Sequence, residues 1–124
     1  MKDFNYHSAK DSKEASKLAS SSSAFLAGGM TTIPSMKLGL ASYKVVIDIK
    51  NIKKLSGIKV SGKSVTIGAT TKHAEVAASK DVKKAIPALA KLAGNIGDAQ
   101  VRNRGTIGGS ISNNDPSACY PSAC

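Results

Sequence analysis

The alternation of apolar and polar positions in the first fifty residues predicts three strands separated by two helices. Residues 4–7 alternate aromatic and polar side chains, as a short half-buried strand does. A helix is predicted next, because Asp11 and Glu14 have the spacing of a capping box and an apolar stripe follows them. An apolar run over 24–27 and a β-branched run over 44–49 predict two further strands, with a helix between them. This order favours a parallel βαβαβ unit with right-handed crossovers.

The pattern changes near residue 50. Two alternating runs flank residues 61–63, Ser-Gly-Lys, and predict an antiparallel hairpin. Three short helices are predicted after it: one after Thr71, one over residues 81–85, and one from Pro87 to Gly94. Residues 95–109 are rich in glycine and amide side chains, which predicts mostly loop. We therefore expect an α+β fold with two subdomains, residues 1–50 and 51–124.

The charge of the chain narrows the possible functions. Lys and Arg number 18 against 8 Asp and Glu, a formal charge of +10. With only 8 Asp and Glu residues, calcium sites and two-metal hydrolysis are disfavoured. The two Cys and two His would form a structural zinc site only if all four converged. No bound metal is therefore expected. A basic chain also suggests nucleic-acid binding, but only Arg102 and Arg104 are arginines and the lysines are scattered. A solvated lysine-rich surface is favoured, and a cofactor-free nucleic-acid module stays as the alternative.

The two ends of the sequence bear on location and completeness. Acidic residues near the N-terminus interrupt any secretory signal, and no window approaches the about 20 apolar residues of a membrane span. We therefore expect a cytoplasmic chain with free thiols and no membrane span. The sequence stops within NDPSACYPSAC without finishing an element, which looks like an interrupted sequence.

Two glycine clusters are the candidate binding motifs. Each joins an apolar run to small hydroxyl residues: Gly28 and Gly29 with Thr31 and Thr32, and Gly108 and Gly109 with Thr106 and Ser110. Glycine lets a ligand approach the backbone N–H groups, which suits a phosphate or pyrophosphate. Neither cluster has the spacing of a dinucleotide-fold or GxxxxGK[ST] motif, and each by itself is also compatible with a structural turn.

Other reactive residue types give weaker signals. No Ser-His-Asp pattern is present, so no catalytic residue is predicted. His73 lies at a predicted helix start, where a surface position is favoured, and His7 lies in a strand. Cys119 has no neighbour in sequence that would lower its pKa, which favours an inert buried thiol.

Three linked segments carry a family resemblance. The stretches FLAGGMTTIPSMKLGL, TIGATTKHAEVA and VRNRGTIGGSISNNDPSACYP follow in this order along the chain. Together they closely resemble the FAD-binding medium subunit of molybdenum hydroxylases, the family of the carbon monoxide dehydrogenase medium subunit and the xanthine dehydrogenase flavin domain. The resemblance implies an FAD-binding domain of the vanillyl-alcohol-oxidase (PCMH) type: a small parallel βαβαβ subdomain, then an antiparallel subdomain that is incomplete here. By the same resemblance, we expect the C-terminal domain of the family to be missing from this sequence.

The resemblance also implies a set of cofactor-binding residues. Residues 25–32 would follow the pyrophosphate, residues 106–110 would form a second cradle, and residues 69–71 and 96 would lie near the flavin. Cys119 stands where relatives often have Asp, and Ser110 replaces a common Asn. The full expected set is Phe25, Leu26, Ala27, Gly28, Gly29, Met30, Thr31, Thr32, Ala69, Thr70, Thr71, Ile96, Thr106, Ile107, Gly108, Gly109, Ser110, Asp115, Cys119 and Tyr120.

The function implied by the resemblance is electron transfer. A large subunit with molybdopterin would oxidise the substrate, a small subunit would relay electrons through [2Fe–2S] clusters, and the FAD held by this subunit would pass them to an acceptor. We expect an oxidoreductase subunit that is inactive as an isolated truncated chain. An inactive fragment of the flavoprotein is the further alternative.

Overall fold

The parallel unit is present as the alternation predicts. The structure, a computed structural model, describes residues 1–124. Its first sheet contains β1 (Asn5–Ser8), β2 (Ser23–Leu26) and β3 (Val45–Asp48) in the order β1-β3-β2, with both pairings parallel. The central strand β3 is buried from its second residue onward, which accounts for its β-branched run.

The two crossover helices begin and end where local chemistry dictates. Helix α1 (Ser12–Leu18) begins at Asp11, whose side chain accepts a hydrogen bond from the Glu14 N–H at 2.8 Å. Glu14 in turn accepts from the Lys10 N–H, one residue earlier than a capping box would have it. Helix α2 (Thr32–Lys37) begins directly after the first glycine cluster.

The second half of the chain combines a hairpin with short helices. Strands β4 (Ile58–Ser61) and β5 (Ser64–Ile67) pair antiparallel, and the turn between them uses Gly62 at φ +56°. The three predicted helices follow as α3 (His73–Ala78), α4 (Lys80–Ala85) and α5 (Pro87–Gly94). Residues 53–55 and 120–123 form short 3-10 helices.

The prediction of a mostly loop segment over residues 95–109 is wrong in part. It contains helix α6 (Ala99–Arg102) and the start of helix α7 (Ile107–Asn113). Both helices have side-chain caps, because Asp98 accepts from the Val101 N–H at 2.8 Å and Thr106 accepts from the Gly109 N–H at 3.2 Å. These caps stabilise helices in a segment whose glycine content argued against helix.

Two small hydrophobic cores support the two halves. One lies between α1 and the parallel sheet and is centred on Ala15, Ile47 and Ile52. The other joins α3, α4, α5 and the C-terminal 3-10 helix, with Val76 and Tyr120 at its centre. No helix is long and apolar enough to cross a membrane.

Candidate functional site

A cavity of about 550 Å³ lies between the parallel sheet and the helical half. We call residues 27–32 glycine loop 1 and residues 105–110 glycine loop 2. Loop 1 connects β2 to α2, and loop 2 connects α6 to the first turn of α7. Both loops line the cavity, so the fold brings the two glycine clusters to one site although they are far apart in sequence.

The two loops approach so closely that only glycine fits at the contact. A Cβ atom on Gly28 would lie 2.1 Å from the carbonyl oxygen of Arg104 and 2.8 Å from the Cα of Gly105. A Cβ atom on Gly108 would lie 2.6 Å from the carbonyl oxygen of Ala69. These neighbours are backbone atoms, so a side chain at Gly28 would force the two loops apart, and one at Gly108 would force loop 2 away from Ala69.

Loop 1 is rich in unused backbone donors. None of the N–H groups from Ala27 to Thr32 donates a hydrogen bond to an acceptor within the chain. Gly29 has φ +74°, a left-handed conformation that favours glycine. A run of free N–H groups at a helix start, beside threonine hydroxyls, is a binding surface for an anion.

Loop 2 differs, because most of its N–H groups already have partners. The Ile107 N–H donates to the Thr71 carbonyl, the Gly108 N–H to the Ala69 carbonyl, and the Ser110 N–H to the Thr106 carbonyl. The Gly109 N–H donates to the Thr106 hydroxyl. Loop 2 therefore offers the cavity a bare glycine surface and polar side chains more than free backbone donors.

Most of the residues implied by the family resemblance line this cavity. The structure brings together Phe25, Ala27, Gly28, Gly29, Met30, Thr31, Thr32, Ala69, Ile96, Thr106, Gly108, Gly109, Ser110 and Asp115. It does not bring Leu26, Thr70, Thr71, Ile107, Cys119 or Tyr120 to the cavity surface.

The threonines outside the cavity have structural hydrogen bonds instead. The Thr70 hydroxyl donates to the Leu55 carbonyl at 2.9 Å. The Thr71 hydroxyl donates to the Gly57 carbonyl at 3.1 Å and accepts from the Gly57 N–H at 3.0 Å. These contacts fix the segment before β4 against the segment before α3 and occupy both hydroxyls; that residues 70 and 71 lie near a flavin stays a prediction.

Two expectations about side-chain positions are wrong, those for Cys119 and His73. Cys119 is exposed and not buried, because it precedes the short C-terminal 3-10 helix at the surface. Tyr120 is 1% exposed and lies in the second core. His73 is not a surface residue: it is 4% exposed, lines the cavity, and its Nδ1 lies 3.1 Å from the Tyr120 hydroxyl. His7 does lie in an edge strand, 3.0 Å from Glu14.

Several residues that line the cavity are not among those expected from the sequence. Strand alternation could have found Ser23, which shares a face of β2 with the expected Phe25; no local signal marks the others. The missed residues are Ser23, Ala24, Tyr43, Ile49, His73, Val101, Gly105, Ser112, Asn113 and Ala118.

The cavity holds almost no charged side chains. Asp115 is its one acidic lining residue, and no lysine or arginine side chain lines it. The Arg102 guanidinium donates to the Ile96 and Gly97 carbonyls at 3.2 and 2.8 Å, and Arg104 is exposed. Neutral N–H and O–H groups are therefore what the cavity offers to an anionic ligand.

A buried carboxylate lies at the end of the central strand β3, next to the cavity. Asp48, fully buried at the end of β3, lies 2.8 Å from the Lys50 ammonium and accepts from the Tyr6 hydroxyl and the Lys50 N–H. Burial alone would raise the pKa of the Asp48 carboxyl, but the hydrogen bonds from Lys50 and Tyr6 outweigh it and hold that pKa below its usual value. The following residue, Ile49, lines the cavity.

Comparison with known proteins identifies the family. The family described as the FAD binding domain in molybdopterin dehydrogenase matches residues 2–124. The chain belongs to this family. Its FAD-binding domain is 42% identical over 121 residues to the carbon monoxide dehydrogenase medium chain of Hydrogenophaga pseudoflava, covering 95% of this chain and 42% of that protein. It is 38% identical over 121 residues to the glyceraldehyde dehydrogenase medium chain of Sulfolobus acidocaldarius, covering 96% and 43%.

Solved structures of related enzymes contain the same fold as this FAD-binding domain. Carbon monoxide dehydrogenase from Hydrogenophaga pseudoflava matches with a TM-score of 0.95 and 42% identity over 97% of this chain and 43% of that one. Quinoline 2-oxidoreductase from Pseudomonas putida 86 matches with a TM-score of 0.89 and 28% identity, over 94% and 42%. The expected fold and family are thus confirmed. The chain spans about two fifths of the length of these relatives.

The cavity is compatible with the cofactor of the family. FAD contains a diphosphate that needs several close donors, and loop 1 supplies a run of free N–H groups without side chains in the way. A volume of about 550 Å³ lies within the usual range for small-molecule sites. The chain is accordingly an FAD-binding domain related to subunits of dehydrogenases and oxidoreductases.

Proposed function

We propose that the cavity between the two glycine loops holds FAD, with the diphosphate against loop 1. The observation that carries this proposal is the run of free N–H groups from Ala27 to Thr32, which face no acceptor of their own chain. Loop 2 would close the other side with the bare surface of Gly108 and Gly109. Phe25, 49% exposed although it is aromatic, would be covered by the cofactor.

We propose further that the protein acts as the electron-transfer flavoprotein subunit of a molybdenum-dependent oxidoreductase. Bound FAD would supply the redox chemistry, accepting electrons from [2Fe–2S] clusters of a small subunit and passing them to a final acceptor. A large subunit with molybdopterin would oxidise the substrate. Support comes from relatives named as medium chains and from the match to Cu,Mo-CO dehydrogenase, 35% identical with a TM-score of 0.88.

In this proposal the residues of this chain bind and orient the cofactor and perform no chemistry themselves. No cluster of three or more His, Cys, Asp or Glu is placed to hold a metal ion. That the isolated chain is inactive stays a prediction. The cytoplasmic location and the division at residue 50 stay predictions.

Flavin uptake tests the proposal. The full-length protein that contains this chain is mixed with FAD, freed of excess ligand, and its visible spectrum and thermal unfolding are recorded. A ligand that binds only the folded form at 100 times its dissociation constant stabilises it by about 2.7 kcal/mol. We expect a flavin absorbance band and a raised unfolding midpoint. Absence of both, with salt-sensitive retention on nucleic acid, would support the basic binding module instead.

A further inference from the structure

His73 is the one ionisable side chain that combines near-complete burial with a position on the cavity wall. It begins α3, is 4% exposed, and lines the cavity next to loop 2. Its backbone N–H donates to the Gly105 carbonyl at 3.0 Å. A Cβ atom on Gly105 would lie 2.5 Å from the His73 Nε2, so the imidazole packs directly against the start of loop 2.

Tyr120 fixes the orientation of this imidazole. The Tyr120 hydroxyl lies 3.1 Å from the His73 Nδ1, and the ring centroids are 5.3 Å apart. Burial raises the pKa of Tyr120 to about 12, so the hydroxyl keeps its proton. The hydroxyl has no other hydrogen-bond partner in the chain, so its proton takes part in a hydrogen bond only if the hydroxyl donates to Nδ1.

The contact between Tyr120 and Nδ1 determines which ring nitrogen of His73 carries the proton. Burial lowers the pKa of His73, so the imidazole is neutral and carries one proton. With Nδ1 accepting from Tyr120, the proton lies on Nε2. Nε2 has no hydrogen-bond partner in the chain. Every side-chain nitrogen or oxygen that is completely shielded from solvent does have a partner, so Nε2 is not completely shielded. Because His73 lines the cavity, we take the cavity as the side from which a ligand would reach Nε2.

We propose that His73 binds the cofactor directly, with Nε2 donating a hydrogen bond to an acceptor atom of FAD and Tyr120 acting as the positioning residue that holds the imidazole for this contact. The inference rests on the proposed function, because it takes FAD as the occupant of the cavity. Loop 1 would hold the cofactor through backbone donors, and His73 would add a side-chain donor beside Gly105, where the two loops meet.

Two substitutions separate the ring nitrogens. The amide nitrogen of Gln reaches the position of Nε2, whereas that of Asn reaches only the position of Nδ1. In the full-length protein we expect His73→Asn to weaken FAD binding roughly fivefold, the worth of one net hydrogen bond, and His73→Gln to stay within about twofold of wild type. Affinity is measured by flavin fluorescence, and the unfolding midpoint of the ligand-free protein checks that each variant folds.

A second measurement needs no substitution in the tested protein. With ¹⁵N-labelled histidine, we expect FAD to shift the Nε2 resonance of His73 and to protect its proton from exchange; the His73→Gln spectrum assigns the signal. Equal affinities for both variants, an equal loss in both, or an unchanged Nε2 resonance in FAD-loaded protein would each overturn the role of His73. If wild-type protein takes up no FAD at all, the proposed function itself fails.

Discussion

Replacing Gly28 with alanine tests the contact between the two glycine loops. The added methyl group would lie 2.1 Å from the Arg104 carbonyl oxygen, and Cβ atoms essentially never come closer than 3.0 Å to a neighbour. The loops must therefore separate by about 0.9 Å, since both partners are backbone. Such overpacking costs roughly 1–3 kcal/mol. We expect the ligand-free variant to relieve the clash by opening, so that most of this cost opposes FAD binding.

We expect Gly28→Ala to raise the dissociation constant for FAD roughly tenfold to hundredfold, at about 1.4 kcal/mol per factor of ten. Fluorescence titration of the full-length protein measures it, alongside the unfolding midpoint without ligand. Gly94→Ala is the matched control, because its methyl group meets only the Ala77 Cβ at an ordinary 3.7 Å and lies in a helix. If Gly28→Ala binds FAD as tightly as Gly94→Ala does, the loops do not form a shared cofactor cradle.

Three further outcomes are expected. Gly108→Ala should lower FAD affinity and the unfolding midpoint more than Gly109→Ala, since the first methyl group meets backbone at 2.6 Å and the second only a hydroxyl at 2.8 Å; a reversed order in titration and melting would contradict this. Asp48→Asn should cost about 2 kcal/mol in urea unfolding at pH 7. Because the pKa of Asp48 is lowered in the folded protein, this stabilisation is present above the unfolded-state pKa of about 3.9 and is lost as pH falls through the folded-state pKa. The difference in unfolding free energy between Asp48→Asn and wild type should therefore shrink in acid. The folded pKa of His73 is also lowered, so wild type should lose stability as pH falls below about 6.5, whereas His73→Gln should not. If the free energies of unfolding of the two proteins change with pH in parallel, this effect of His73 is absent.

The elements that sequence predicts well are those set by local chemistry. The strands β1, β2 and β3 follow from an alternating run, an apolar run and a β-branched run, and the bounds of α5 follow from Pro87 and Gly94. The hairpin follows from two alternating runs around Gly62. Each signal lies within a few residues of its element, so a single sequence carries it.

The features that sequence misses depend on distant partners. Helix α7 contains a Gly-Gly pair that disfavours a helix, yet the Thr106 cap and a hydrogen bond from the Gly108 N–H to the Ala69 carbonyl hold its first turn. The burial of His73 depends on Tyr120, which is 47 residues away. Such contacts exist only after the chain has folded, so local patterns do not report them.

The same limit applies to the candidate site. Sequence places both glycine clusters near a diphosphate, and the structure brings them to one cavity. The unequal use of their N–H groups, free from Ala27 to Thr32 but bonded from Ile107 to Ser110, depends on which carbonyls fold against them. Composition and spacing alone suggested two equivalent cradles.

The unpaired amides of glycine loop 1 provide a built-in reporter of occupancy. Backbone hydrogens without a partner exchange with deuterated solvent in the empty protein, whereas hydrogens bonded within helix α7 are already protected. Mass spectrometry of the peptide spanning residues 27–32 would therefore follow loading and release of the cofactor without a flavin signal. Sulfate or phosphate in a buffer would occupy the same donors, so the choice of buffer anion sets how readily the empty protein is reloaded.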